Sequence, residues 1–183
     1  MGSLGKKPTV TAAASFPTAV PALRLKTGFN QKFICGDIAS GATLVAVPLI
    51  GGTLESVEGF EPKVKFDISN GTDWFRIDPD KTHGRMSVKA LATDEKGLSV
   101  CIVVEGVITL NETTMPLVFG IPEAQTSPFG FGIESLRIET GHEEYKPLES
   151  MVFAASQRFL KEDGDLIGVE ARISQIVPGS GME

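Results

Sequence analysis

The chain has 183 residues, 42% of them hydrophobic, and a formal net charge of −6. That length suits one domain with its own core, and the acidic balance argues against nucleic acid and anionic membranes, which both ask for a basic footprint. No apolar run approaches the roughly 20 residues of a membrane span.

Met1-Gly2-Ser3 has the look of a vector-derived leader, and Gly5 to Pro21 has no hydrophobic period. Residues 1–21 are therefore expected to be a flexible arm, 22–178 a single domain, and 179–183 a tail. From Leu23 the pattern alternates: Leu23, Leu25, Thr27, Phe29, Phe33 and Cys35 share one face of a half-buried strand that can break near Gly28. Asp37 to Gly41 reads as a turn. Ala42 to Ile50 reads as an apolar strand ending at Pro48, before a bulge or bend at Gly51-Gly52-Thr53.

Lys63 to Ser69 places Val64, Phe66 and Ile68 inward, and Asn70-Gly71 is a strong hairpin signal. Asp73 to Asp78 carries the single tryptophan, Trp74, expected in the core or a cavity wall. Arg85 to Ala92 sets Met86, Val88, Ala90 and Ala92 on one side, before a turn at Asp94 to Gly97.

Leu98 to Leu110 is the stretch that organises the rest. Its β-branched content rules out a helix, and its even positions from Leu98 to Ile108 are wholly apolar. The odd positions are mixed and include Glu105 between Val103 and Val107. Both faces read as covered, so the strand belongs centrally in a sheet or in a barrel wall. Met115 to Phe119 and a Pro/Gly-rich loop over 121–130 follow. Strands are expected at Phe131 to Thr140, Met151 to Phe159 and Leu166 to Val177, with room for one helical turn in Glu143 to Ser150. Nine or ten short strands joined by Gly, Asn and Asp turns predict an all-β antiparallel barrel or sandwich.

There is no Cys-x-x-Cys, no paired-histidine spacing and no phosphate-cradling glycine loop, so no metal or other cofactor is expected. Asn70 and Asn111 head glycosylation sequons, which raises a secretory-pathway reading beside a cytoplasmic one. Cys35 and Cys101 fit a disulfide or two separate thiols. Polar groups on apolar strands are the candidates for chemistry. Glu105 is at an exposed edge, or paired with a cation such as Arg137 or Arg172, or a carboxylate raised in pKa inside a cavity. Arg137 and Glu139 point the same way and read as an anchor plus acid/base or as a surface ion ladder. Tyr145 and Trp74 either line a pocket or fill core, and Asp73 follows a turn signal.

Ile50-Gly51-Gly52-Thr53, Asn70-Gly71-Thr72-Asp73-Trp74, Thr93-Asp94 with Gly97, and Ile138-Glu139-Thr140-Gly141 with Tyr145 and Leu148 occur in a familiar order. From Leu23 to Val177 the chain resembles the domain-of-unknown-function 3237 family of small bacterial and fungal proteins. The resemblance implies a closed or nearly closed antiparallel β-barrel with an internal cavity, often a homodimer, whose fungal relatives are associated with secondary metabolism. Two departures stand out. Asn70-Gly71-Thr72 replaces the first half of a Gly-Gly-Ala-Asp-Trp turn, and Pro147-Leu148-Glu149 replaces a Trp-Leu-Asn-like segment. The loop Thr113 to Pro128 is expected to cap the barrel.

The functional expectation is a cofactor-free, non-redox enzyme of specialised metabolism. It would bind a bulky apolar small molecule and promote a cyclisation, including a pericyclic, hetero-Diels–Alder type of step. Its expected catalytic residues are Glu105, Arg137, Glu139 and Tyr145; Trp74, Asp73, Val103 and Val107 are the expected substrate-binding ones. The odd face of Leu98 to Leu110 would line the cavity, and the greasy even face would be covered by a second copy. The alternatives are a non-catalytic carrier of a hydrophobic ligand and a structural dimeric barrel.

Overall fold

A computed structural model describes residues 16–29, 31–161 and 167–179. Most of the expected arm, up to residue 15, and the tail beyond 179 lie outside the described residues. Ten strands follow in chain order: β1 (Thr18–Phe29), β2 (Phe33–Asp37), β3 (Thr43–Pro48), β4 (Gly52–Ser56), β5 (Lys65–Ile77), β6 (His83–Thr93), β7 (Ser99–Thr109), β8 (Gly132–Glu139), β9 (Val152–Lys161) and β10 (Ile167–Val177). A six-residue helix, α1 (Thr114–Phe119), and a 3₁₀ turn at Lys146–Ser150 complete the fold. Among the described residues no helix is long and apolar enough to cross a membrane.

Eight strands close an antiparallel barrel in the order β5-β4-β1-β10-β9-β8-β7-β6, with β6 returning to β5. β2 and β3 lie outside this ring. β5 is long enough to take two partners along one edge, β4 over Lys65 to Asp67 and β3 over Thr72 to Ile77. The bend between β3 and β4 makes this sharing possible. Gly51 and Gly52 both have positive φ, and a Cβ on Gly52 would sit 2.1 Å from the Lys26 carbonyl oxygen. β3 and β2 thus extend the wall as a flap at one end.

The core has two parts. Phe66, Val100, Ile138, Leu148, Phe153 and Ile173 fill one end of the barrel with little residual exposure. Phe29, Val45, Val47, Phe75, Ile77, Met86, Ile108, Leu117 and Phe159 surround the other.

Several expectations change. Asn70-Gly71 does not turn the chain: β5 runs through it, and a bulge at Ser69, just before the pair, shifts the register to β6 between Ile68 and Asn70. Met115 to Phe119 lies in α1; the Asn111 side-chain carbonyl accepts the backbone N–H groups of Thr113 (2.9 Å) and Thr114 (3.1 Å) at its start. The β1 alternation stops at Phe29, and Phe33 and Cys35 are exposed. Cys35 and Cys101 are both free thiols. The apolar even face of β7 is the barrel interior, covered by its own chain, so it gives no reason for a second copy.

Candidate active site

The hollow end of the barrel holds a cavity of about 190 Å³. Its floor is Ile68, Ala90, Ile102 and Val104, and Phe29, Val45, Val47, Phe75, Phe159 and Val169 form the walls. At the mouth lie Lys32 and Ile34 beside Val118 and Phe119 of α1. Strand alternation explains the apolar lining, since each barrel strand turns every second side chain inward. Five polar side chains interrupt it: Thr27, Lys32, Asp73, Glu134 and Gln157.

Each polar group arrives through a local rule. On β5, Phe66 and Ile68 point inward at even positions, but beyond the bulge at Ser69 the inward positions are odd. The bulge therefore turns Asp73, Phe75 and Ile77 to the interior and leaves Trp74 and Arg76 outside. Glu134 precedes Leu136 and Ile138 on the inward face of β8, and Gln157 lies between Phe153, Ala155 and Phe159 on that of β9.

Gly106 on β7 makes room for them. It pairs with Met86 on one side and Glu134 on the other. A Cβ there would come within 2.6 Å of both the Met86 methyl and the Glu134 Cβ. Gly132 does the same for Gln157, whose Cγ lies 2.6 Å from the position of an added Cβ.

Glu134 is 7% exposed and Gln157 4%. The Gln157 amide donates to the Met86 sulfur at 3.1 Å. Asp73 accepts the Ser87 backbone N–H at 2.9 Å. Burial pushes the Asp73 carboxyl up to about 6, opposed by that hydrogen bond and by the Arg76 charge. Burial pushes the Glu134 carboxyl up to about 7, and the negative charge of Asp73 adds to the effect. The two acids are thus electrostatically coupled across one cavity and titrate around neutrality. Two such carboxyls can give a proton to a bound molecule or take one from it. Thr27 is committed elsewhere, its hydroxyl donating to the Gly51 carbonyl at 2.6 Å.

Of the eight residues expected from sequence, Asp73 alone lines this cavity. Glu105 is exposed on the outer face of β7 and pairs with neither Arg137 nor Arg172. The physical reason is the two-residue period: the wholly apolar even face faces the interior, which puts every odd position, Val103 and Val107 included, outside. Arg137 and Glu139 form an exposed ion pair at 2.9 Å on the outer surface. Trp74 is 48% exposed and lines a shallow outer groove with Leu91 and Cys101. Tyr145 is buried in the filled end, where its hydroxyl donates to Asp94 at 2.6 Å and its ring meets Phe66 edge-on. Asn70 is exposed and Asn111 half-buried. Among the described residues no three His, Cys, Asp or Glu side chains gather at metal-ligand spacing.

The residues that sequence reasoning passed over are Glu134, Gln157 and Lys32. The signal for Glu134 was its phase: it shares the face of Leu136 and Ile138, so it is a carboxylate in an apolar stripe. Gln157 is legible in the same way between two phenylalanines. Lys32 is not, because it lies in the connection after β1, where alternation ends.

The profile of the family described as "Protein of unknown function (DUF3237)" matches residues 17–176. No curated protein matches the chain. Among solved structures, a conserved protein of unknown function, RPA1785 from Rhodopseudomonas palustris, superposes with a TM-score of 0.70 at 18% identity, covering 88% of this chain and 99% of its own. A β-barrel-like protein, ABAYE2633 from Acinetobacter baumannii AYE, gives 0.64 at 18% identity over 91% of this chain and 99% of its own. A protein described as an enzyme from Penicillium herquei gives 0.55 at 12% identity over the same shares of the two chains. At these identities the likeness shows the shared barrel fold.

Proposed function

The chain belongs to the DUF3237 family, and we propose that within it the protein is an enzyme that uses Asp73 and Glu134 as an acid–base pair on a small apolar substrate. The observation that carries this reading is the pair itself: two interior carboxyls, raised to about 6 and about 7, in an otherwise apolar cavity. A barrel that only stored a greasy ligand would be better served by an apolar lining, since each buried carboxyl opposes folding when it ionises. The existence of a structural relative described as an enzyme fits the reading.

The supported reaction class is non-redox proton transfer at carbon or oxygen, the step common to isomerisations and acid-assisted cyclisations. Asp73, the stronger acid, is the ionised member near neutrality and removes a proton. Glu134, the weaker acid, keeps its proton and donates it to a developing oxyanion or leaving group. Gln157 has a carbonyl and one N–H left to orient a polar group of the substrate. The volume is a little above the roughly 150 Å³ that holds benzene in an engineered core cavity, so the reacting part is of monocyclic or small bicyclic size.

The test is deuterium incorporation from D₂O into 2-tetralone, an enolisable bicyclic ketone of suitable size. Exchange above the buffer rate is expected with the native protein. It should fall by about 10² or more in Asp73→Asn and in Glu134→Gln while ketone binding persists. Tight binding with no exchange in the native protein would instead leave a carrier.

A further inference from the structure

Among the described residues Lys32 is the one cation lining the cavity, and the acid–base pair makes no use of it. It sits half-buried at the mouth, in the connection between β1 and β2. Its ammonium donates to the Val118 carbonyl in the last turn of α1 and lies 3.3 Å from where a Cβ on Gly120 would be. Gly120 has φ +71 and ends the helix; its own N–H and that of Ile121 return to the Leu117 and Pro116 carbonyls. Lys32 takes the Val118 carbonyl, which those two N–H groups leave open, and this uses one of its three N–H donors. No carboxylate among the described residues pairs with it.

An unpaired, partly dehydrated ammonium is costly, and burial lowers its pKa accordingly. The interior acids do not relieve it. The charge acting on Asp73 is Arg76 and that acting on Glu134 is Asp73; Lys32 is not among the charges that shift either. Among the described residues the cavity thus has two separate polar ends: an acid–base pair within, and at the rim a cation with two donors left for solvent or ligand.

We propose that Lys32 anchors an anionic oxygen of the substrate, so that the protein takes an apolar acid (a carboxylate or a phenolate) with its charged group at the mouth and its apolar body inside. This rests on the cavity being the substrate site, and it names the substrate class for that site. Charge-assisted hydrogen bonds from the two free donors hold the anion, and α1 supplies the apolar side of the rim through Val118 and Phe119. The anion then fixes which end of the molecule reaches Asp73 and Glu134.

The experiment compares 3-phenylpropanoate with its neutral isostere 3-phenylpropanamide, titrated calorimetrically at neutral pH into the full chain and into Lys32→Met and Lys32→Arg. The acid is expected to bind native protein about tenfold more tightly than the amide. Lys32→Met should remove that preference with amide affinity unchanged, and Lys32→Arg should restore most of it. Thermal melts of all three proteins establish that they are folded. Amide binding as tight as acid binding overturns the anchor and leaves the acid–base reading intact. Equal loss of both ligands in Lys32→Met would mean that Lys32 only holds α1 in place, which also overturns the anchor. Binding of neither ligand by the native protein overturns both readings.

Discussion

The two ends of this barrel are built from the same strands and differ in what those strands point inward. At the filled end, Phe66, Val100, Ile138, Leu148, Phe153 and Ile173 are each at most 2% exposed. Its polar contact, Tyr145 to Asp94, is made at the rim, where it ties the β6–β7 turn to the 3₁₀ segment. At the hollow end, Phe29, Val45, Val47, Phe75, Ile77, Met86 and Phe159 keep between 5% and 9% exposure because they face a cavity instead of one another. The buried carboxyls lie at this end. One end supplies cohesion, and the other gives up packing for a shaped space with tuned acids, the usual opposition between stability and function.

The contrast is tested most severely by removing one ring from each end. Phe66→Ala should cost about 3–5 kcal/mol, because its lost contacts leave a void in a packed region. Phe159→Ala removes the same number of atoms beside space that is already open, so its cost should be about half of that. Urea denaturation of the two variants gives the comparison directly. Equal losses would mean that the ends are equally packed.

The next effect is electrostatic and has a definite sign. Glu134 ionises near 4.5 when unfolded and near 7 when folded, so the folded state holds its proton longer. Stability from this group is fully present below pH 4.5 and is lost as pH rises through 7; Asp73 behaves likewise between 3.8 and about 6. Native protein should therefore lose about 3 kcal/mol relative to Glu134→Gln between pH 4.5 and 7.5. The difference between the two proteins cancels the other carboxylates. A variant that tracks the native protein across that range would show that Glu134 is not raised. The same substitution should remove turnover while raising stability at neutral pH, a pairing that the filled end cannot produce.

Gly106→Ala comes third. Its methyl would meet the Met86 methyl and the Glu134 Cβ at 2.6 Å each and the Ile133 carbonyl oxygen at 2.7 Å, so Met86 must swing away and the β8 backbone around Glu134 must shift as well. The expected cost is about 1–3 kcal/mol, with a larger relative loss in ligand affinity as the Glu134 carboxyl is displaced. Unchanged affinity with lowered stability would mean that the Glu134 carboxyl keeps its place in the cavity although the backbone beneath it has shifted.

The fold was legible because alternation survives in almost every strand. β7, β9 and β10 lie within two residues of where Leu98 to Leu110, Met151 to Phe159 and Leu166 to Val177 place them. The site was less legible for two physical reasons. A bulge at Ser69 changes the phase of β5 in its middle, and the Asn70-Gly71 dipeptide beside it reads as a hairpin turn instead. The other reason lies in β7. Glu105 drew attention as a carboxylate among valines, but an outward strand face in a barrel tolerates valines as readily as charges. Glu134 carried the better signal, since its same-face neighbours Leu136 and Ile138 are buried and its different-face neighbours are not.

Glu105→Gln gives the smallest expected effect and checks the assignment of faces. The side chain is exposed, has no ion-pair partner among the described residues, and stands on the outer face of a strand whose inner face lines the cavity. Its backbone carbonyl, which accepts the Ser135 hydroxyl at 3.3 Å, is untouched by the change. Stability should stay within about 0.5 kcal/mol of native, and ligand affinity and deuterium exchange should be unchanged. A fall in exchange with stability intact would place a carboxylate of the outer face in the reaction. That would require the β7 strand to present its odd face inward, which the two-residue period forbids without a bulge, and the β6–β7 and β7–β8 registers run unbroken from His83 to Thr93 and from Cys101 to Ile108.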